Sequence, residues 1–153
     1  SGTTLVKDIN PTPGVGSNPT WLTVMGSTLY FAADDGAHGT ELYKSDDGGQ
    51  TWNRRGGNLP FGDFTSILVN PRNGDEIFAG NAYQVADVGG GVFRSTNGGK
   101  TWARIDPKGQ RLPSQRIWAL AFDAHDQNVL FVGSHSAGVY VVPRTADALS
   151  SAQ

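Results

Sequence analysis

The stretch SDDGGQTW, residues 45–52, returns fifty residues later as STNGGKTW, residues 95–102. Both copies fit the pattern Ser-x-Asp/Asn-x-Gly-x-Thr-Trp, and each follows an aromatic residue and a base. A repeat at a fixed period is the first feature to settle, because it decides the architecture. We therefore expect a protein assembled from similar units of about 50 residues.

Each copy of the repeat lies between two strand-like runs, which predicts a hairpin turn. The side chains of Asp47 and Asn97 can accept hydrogen bonds from nearby backbone N–H groups. The glycines supply backbone conformations that other residues resist, and the tryptophans can bury their rings. The predicted turn residues are Ser45, Asp47, Gly49, Thr51 and Trp52 in the first copy, and Ser95, Asn97, Gly99, Thr101 and Trp102 in the second.

This pattern resembles the Asp-box of the BNR repeat families, which include sialidases, sortilin-like receptors and xyloglucan-cleaving glycosidases. The resemblance implies a β-propeller in which the Asp-box is a fold-supporting turn away from the binding face. Asn97 departs from the usual aspartate but keeps the acceptor. The first 46 residues instead resemble propeller repeats of the ELWxxDGT type, on the segments LVKDINP (residues 5–11) and HGTELYKSD (residues 38–46). The change of family suggests a chimera of propeller fragments, with natural divergence as the alternative.

The rest of the chain predicts an all-β fold of three propeller blades, each with four short strands. Alternating apolar segments separated by turns rich in Gly and Pro indicate strands. The predicted blades span residues 20–56, 62–106 and 116–142, and a β-sandwich is the alternative. The third blade lacks its outer strand, and residues 143–153 form a small polar tail. Residues 5–9 predict an additional strand.

The blade count predicts self-association, because single-ring propellers have about four blades or more. A homodimer would form a six-bladed ring, in which the strand at residues 5–9 completes the last blade of the partner. A trimeric ring and a fragment of a longer propeller are the alternatives.

Composition excludes several other classes of function. The formal net charge is −2 without runs of like charge, which argues against nucleic acid and anionic membranes as partners. There is no cysteine, so disulfides and thiolate metal sites are absent. No segment resembles a membrane helix or a signal peptide, and no cofactor motif is present.

Candidate chemical sites are weak in this sequence. No arginine motif of a sialidase is present, and loop acids can be turn residues as well as the paired carboxylates of a glycosidase. Neither Asp34, Asp35 and His38 nor Asp123, His125 and Asp126 have a recognised metal-ligand spacing. The loop acids considered are Asp34, Asp35, Asp63, Asp87 and Asp123.

Aromatic residues on the loops raise one binding hypothesis. Trp21, Tyr83 and Trp118 can stack on a glycan or a peptide at the ring mouth, or the two tryptophans can instead pack between blades. The sequence therefore predicts a non-enzymatic, self-assembling propeller scaffold without cofactor or metal. A carbohydrate- or protein-binding propeller module is the alternative function, and a glycoside hydrolase fragment is a less favoured one.

Overall fold

A computed structural model describes residues 2–59, 64–82, 90–105 and 112–144, which form three antiparallel sheets. Blade 1 contains β1 (Thr20–Met25), β2 (Thr28–Asp34), β3 (Thr40–Ser45) and β4 (Asn53–Arg54). Blade 2 contains β5 (Phe64–Val69), β6 (Ile77–Asn81), β7 (Gly91–Ser95) and β8 (Ala103–Arg104). Blade 3 contains β9 (Ile117–Phe122), β10 (Val129–Ser134) and β11 (Gly138–Pro143). The predicted all-β propeller architecture is confirmed.

The strands of each blade follow one another in sequence order, as antiparallel meanders do. The fourth strands are short, because only two residues of each pair with the third strand. No helix in the described part of the chain is long and apolar enough to cross a membrane. The predicted tail beyond residue 144 and the segments at 60–63, 83–89 and 106–111 lie outside the described residues.

Two apolar clusters hold the three blades together. The first contains Tyr30, Ala32 and Leu42 of blade 1 with Ile77 and Ala79 of blade 2. These residues are at most 2% exposed, so the contact between blades 1 and 2 resembles a domain core. Burial on this scale is the main stabilising contribution in a fold of short strands.

The second cluster joins blades 2 and 3. It contains Phe78 and Val92 on blade 2 and Leu130, Val132 and Val142 on blade 3, all of them fully or almost fully buried. Phe78 also meets Phe122 edge to face, with ring centroids 5.7 Å apart. Blade 2 is therefore covered on both faces by its neighbours.

Corresponding positions in the three blades follow from the strand registers. Ser45 pairs with Leu29, Ser95 with Ile77, and Val142 with Leu130. Counting from these pairs, Leu42, Val92 and Val139 occupy one position, and Tyr30, Phe78 and Phe131 occupy another. Both positions lie on the face that each blade turns toward the next blade in the chain, here called the forward face. The opposite side is called the backward face.

The N-terminal segment, residues 4–9, forms no strand within the single chain, and its predicted pairing with a partner chain stays a prediction. It lies against the backward face of blade 1, where Ile9 packs on a cluster formed by Phe31, Ala33 and Tyr43. There the segment contacts the face of blade 1 and does not pair with the edge of any strand. Leu5 and Val6 remain 81% and 63% exposed.

Candidate functional site

The first Asp-box is a turn closed by its own side chains. The Ser45 hydroxyl accepts a hydrogen bond from Gly49 N at 2.9 Å and donates to Asp47 Oδ1 at 2.9 Å. Asp47 also accepts from Thr51 N at 2.9 Å and from the Thr51 hydroxyl at 2.6 Å. The hydrogen bonds from Thr51 lower the pKa of Asp47 to about 2. The Asp47 carboxylate therefore accepts its hydrogen bonds from within the turn.

The second Asp-box repeats this geometry with an amide. Ser95 Oγ accepts from Gly99 N at 2.9 Å, and Asn97 Oδ1 accepts from Thr101 N at 2.9 Å. One hydrogen bond is reversed, because Asn97 Nδ2 donates to the Thr101 hydroxyl at 2.8 Å. The hydroxyl group can serve as donor or acceptor. Asparagine therefore replaces aspartate here without loss of a bond.

The two Asp-box tryptophans differ in their surroundings. Trp102 Nε1 donates to the carbonyl oxygens of Arg55 at 2.9 Å and Gly99 at 3.0 Å, so it ties blade 2 to the end of blade 1. Trp52 Nε1 is buried and has no hydrogen-bond partner among the described residues. The Trp52 ring instead meets Phe31 edge to face at 4.8 Å. Blade 1 thus presents a buried donor on its backward face.

Trp21 and Trp118 line one cleft of about 370 Å³ at the start of the first strands, together with Phe64, Thr65 and Arg116. Their side chains are 46% and 48% exposed, so neither is packed fully between blades. Trp21 has a φ of +57°, a conformation that is costly for a bulky residue and that recurs at binding sites. No carboxylate is among the described residues lining the cleft. Tyr83 lies outside the described residues.

The loop acids considered for catalysis or metal binding serve as turn acceptors where the structure describes them. Asp35 accepts hydrogen bonds from the backbone N–H of Ala37 and His38 and contacts His38 Nδ1 at 2.8 Å. Burial alone would raise the pKa of Asp35, but these bonds lower it to about 2. Asp123 likewise accepts from the N–H groups of His125 and Asp126.

These acids do not gather into a metal site or a carboxylate pair. No group of three or more His, Cys, Asp or Glu residues in the described ranges could hold a metal ion. Asp34 accepts from Gly36 N at 2.7 Å, as expected for a tight turn. Asp63 and Asp87 lie outside the described residues.

A buried charge cluster around Glu76 was missed by the sequence analysis. Glu76 is 3% exposed and accepts hydrogen bonds from Asn70 Nδ2 at 2.6 Å and Arg94 Nε at 2.8 Å. Arg144, which directly follows β11, binds the same carboxylate through Nε at 3.0 Å and through Nη2. Arg144 Nη1 also donates to the Gln127 carbonyl at 2.9 Å. This cluster joins blade 3 to blade 2.

The two blade faces at the ends of the described blade row, on blade 3 and on blade 1, carry exposed apolar side chains. On the forward face of blade 3, Phe131, Val139 and Val141 are 38%, 73% and 59% exposed. At the equivalent positions, Phe78 and Val92 of blade 2 are fully buried. On blade 1, Val24 is 72% exposed, whereas Val69 at the same register position in blade 2 is 6% exposed.

Comparisons with known proteins agree with the repeat and the fold. The model of the BNR/Asp-box repeat family matches residues 43–54 and 93–104. A search of curated proteins found no match. Among solved structures, the GH74 enzyme of Niastella koreensis is similar with a TM-score of 0.52 and 22% identity, covering 78% of this chain and 20% of that chain.

The GH74 xyloglucanase from Xanthomonas campestris is similar to the same extent. Its TM-score is 0.53 at 19% identity, and the match again covers 78% of this chain and 20% of that one. Such low identity establishes the fold and not the activity. The chain spans about a fifth of these solved structures. It is thus a set of propeller blades carrying two BNR/Asp-box repeats.

Proposed function

We propose that the protein is a non-enzymatic propeller scaffold, recombined from propeller fragments, that closes into a ring with a second copy of itself. The observation that carries this proposal is the pair of open faces. The forward face of blade 3 and the backward face of blade 1 have the same register positions as the buried contacts between blades 1 and 2. Exposed apolar surface of this kind is typical of an interaction site.

The pairing of these two faces follows from the chain's own geometry. Blade 1 packs its forward face on the backward face of blade 2, and blade 2 does the same with blade 3. A second copy can continue this series, and three blades from each copy complete a six-bladed ring. Two-fold rings are the commonest closed assemblies. An apolar cleft of about 460 Å³ between the N-terminal segment and blade 1 offers room for side chains of the incoming blade.

Native mass measurement tests the assembly. We expect a mass near twice the 16.2 kDa of one chain at micromolar concentration. A variant lacking residues 1–9 should be monomeric, because it cannot supply the fourth strand to blade 3 of its partner. The deletion keeps Asn10, which is fully buried and holds the following turn through Thr12 N. A wild-type protein that stays monomeric would overturn the proposal.

The alternative function is binding of a glycan at the cleft of Trp21 and Trp118. Two half-exposed indoles and the strained backbone of Trp21 support it, since aromatic faces can stack on sugar rings. One similar structure is a xyloglucanase, which makes xyloglucan oligosaccharides a reasonable first probe. This binding is compatible with a scaffold that performs no hydrolysis.

A glycan array with isothermal titration tests this alternative. Binding that is lost in Trp118→Ala but kept in Trp52→Phe would support the cleft as the site. Trp52 is the matched control because it lies on blade 1 outside the residues lining the cleft. An array without any saccharide bound would exclude the glycan hypothesis.

A further inference from the structure

The N-terminal segment occupies the place of a missing neighbouring strand. A Cβ added to Gly49 of the first Asp-box would meet Val6 Cγ1 at 2.7 Å. A Cβ added to Gly99 of the second Asp-box would meet Arg55 Cβ at the same distance. Val6 therefore contacts the first Asp-box at the position where Arg55 contacts the second Asp-box. The repeat makes the two environments directly comparable.

Arg55 has a defined role in its own blade. It follows β4, and its N–H donates to the Leu42 carbonyl of β3 at 2.7 Å. In blade 2, Ile105 N donates to the Val92 carbonyl at 2.9 Å in the same way. The residue after each fourth strand thus extends the pairing with the third strand. By this equivalence, Val6 corresponds to the residue that follows a fourth strand. That fourth strand would belong to a blade packed on the backward face of blade 1.

The third strand that lacks such a partner in the described chain is β11. Its Val139 occupies the position of Leu42 and Val92, so its carbonyl is the expected acceptor. In blade 1, Tyr43 is opposite Arg54 and Lys44 is opposite Asn53. In blade 2, Phe93 is opposite Arg104 and Arg94 is opposite Ala103. Both complete blades thus share one register between the third and fourth strands.

We propose that in the ring, whose formation is the proposed function above, residues 4–6 pair with β11 of a second copy in that register. Thr4 lies opposite Val141, and Leu5 lies opposite Tyr140. Val6 N donates to the Val139 carbonyl of the second copy. The N-terminal segment stays on its own blade 1 throughout, so each copy completes the last blade of the other.

The same equivalence assigns a partner to the buried indole of Trp52. Trp102 Nε1 donates to the carbonyl of Arg55, so Trp52 Nε1 donates to the carbonyl of Val6 once the second copy fixes that segment. A buried donor without an acceptor is destabilising, because it has lost its hydrogen bond to water and gained none from the protein. Pairing in the ring removes this cost. Formation of the ring thereby stabilises the first Asp-box, because it gives the Trp52 indole a hydrogen-bond acceptor.

Engineered cysteines test the register directly, because the unmodified chain has none. In the double variant with Thr4→Cys and Val141→Cys, oxidation is expected to give a covalent dimer that is visible on a non-reducing gel. Residues directly opposite each other place their Cβ atoms within reach of a disulfide. The control with Thr4→Cys and Val139→Cys is displaced by two residues and is expected to cross-link at least about 10-fold more slowly, since diagonal pairs are about 7–8 Å apart.

The outcomes separate the register from the assembly. If native mass shows a dimer but the control pair cross-links faster, this register is wrong and the ring still stands. A monomer by native mass would overturn both. For the indole, Trp52→Phe is expected to weaken the dimer about 4- to 100-fold, because each dimer loses two such hydrogen bonds, each worth about 2- to 10-fold. An unchanged dissociation constant would reject that bond. Trp102→Phe is the control, since its partners lie within one chain.

Discussion

Replacing Glu76 with alanine is expected to destabilise the folded chain by about 3 kcal/mol. The substitution leaves Arg94 and Arg144 without the carboxylate that both of them bind. Their side chains are 25% and 17% exposed, so water can replace only part of the lost contact. Removing one member of a buried charge cluster costs more than the cluster contributes as a whole, because the remaining charges stay partly desolvated.

Chemical denaturation of the wild type and the variant measures this effect. Asp75→Ala is the matched control, because it removes the neighbouring acid from an exposed position and should change the free energy of unfolding by less than about 0.5 kcal/mol. Arg144→Ala should also lower the free energy of unfolding, since Arg144 connects blade 3 to Glu76 of blade 2. A Glu76→Ala protein as stable as the Asp75→Ala protein would show that the cluster does not hold the blades together.

The same cluster gives a pH dependence with a definite sign. Burial acts to raise the pKa of Glu76, but hydrogen bonds from Arg144, Asn70 and Arg94 lower it from 4.5 to about 2. A lowered folded-state pKa stabilises the protein above the unfolded value, and this stabilisation is lost as the pH falls from about 4.5 toward 2. The stability of Glu76→Gln should therefore fall less steeply over this interval than that of the wild type.

Local features of the chain made the turns and most strands predictable from sequence. The positions of Ser45 and Asp47 relative to Thr51 set the hydrogen bonds of the Asp-box within a few residues. The same holds for Asn97, whose amide keeps the acceptor that the turn requires.

Contacts between distant segments were not predictable in the same way. Glu76 and Arg144 are 68 positions apart, and nothing near either residue indicates the other. The pairing of residues 5–9 with a partner chain stays a prediction, because a strand needs a partner edge that sequence alone cannot place. The half-exposure of Trp21 and Trp118 likewise depends on how the blades pack. Sequence alone favoured packing between blades for these two tryptophans and left stacking on a ligand as the other interpretation.

Replacing Val139 with aspartate is expected to abolish the dimer while the single chain stays folded. Val139 is 73% exposed in the chain, so the change should cost the monomer no more than about 1 kcal/mol of β-propensity. In the ring this position is buried, as Leu42 and Val92 are within the chain. An unpaired carboxylate there should weaken each contact at least about 100-fold. Sedimentation velocity measures the dimer, and circular dichroism measures the fold.

Two further variants make this test specific. Val15→Asp adds the same charge at a half-exposed turn position that belongs to no strand of blade 1 or blade 3, and it should leave the dimer unchanged. Val24→Asp alters the backward face of blade 1, where the side chain is 72% exposed, and should also give a monomer. If instead two forward faces pack against each other, Val139→Asp would be monomeric and Val24→Asp would remain a dimer.

Mixing the Val139→Asp and Val24→Asp proteins then distinguishes the ring from any other use of the two faces. The proposed ring contains two equivalent contacts, each between blade 3 of one copy and blade 1 of the other. In a mixed dimer, one contact carries both substitutions and the other carries neither. The mixture should therefore recover a dimer, held by one intact contact, that neither variant forms alone. If the mixture does not associate, either both contacts are needed at the concentrations tested or the two faces do not meet. The double variant with Thr4→Cys and Val141→Cys, without either aspartate, decides between these explanations. A covalent dimer would show that the faces meet.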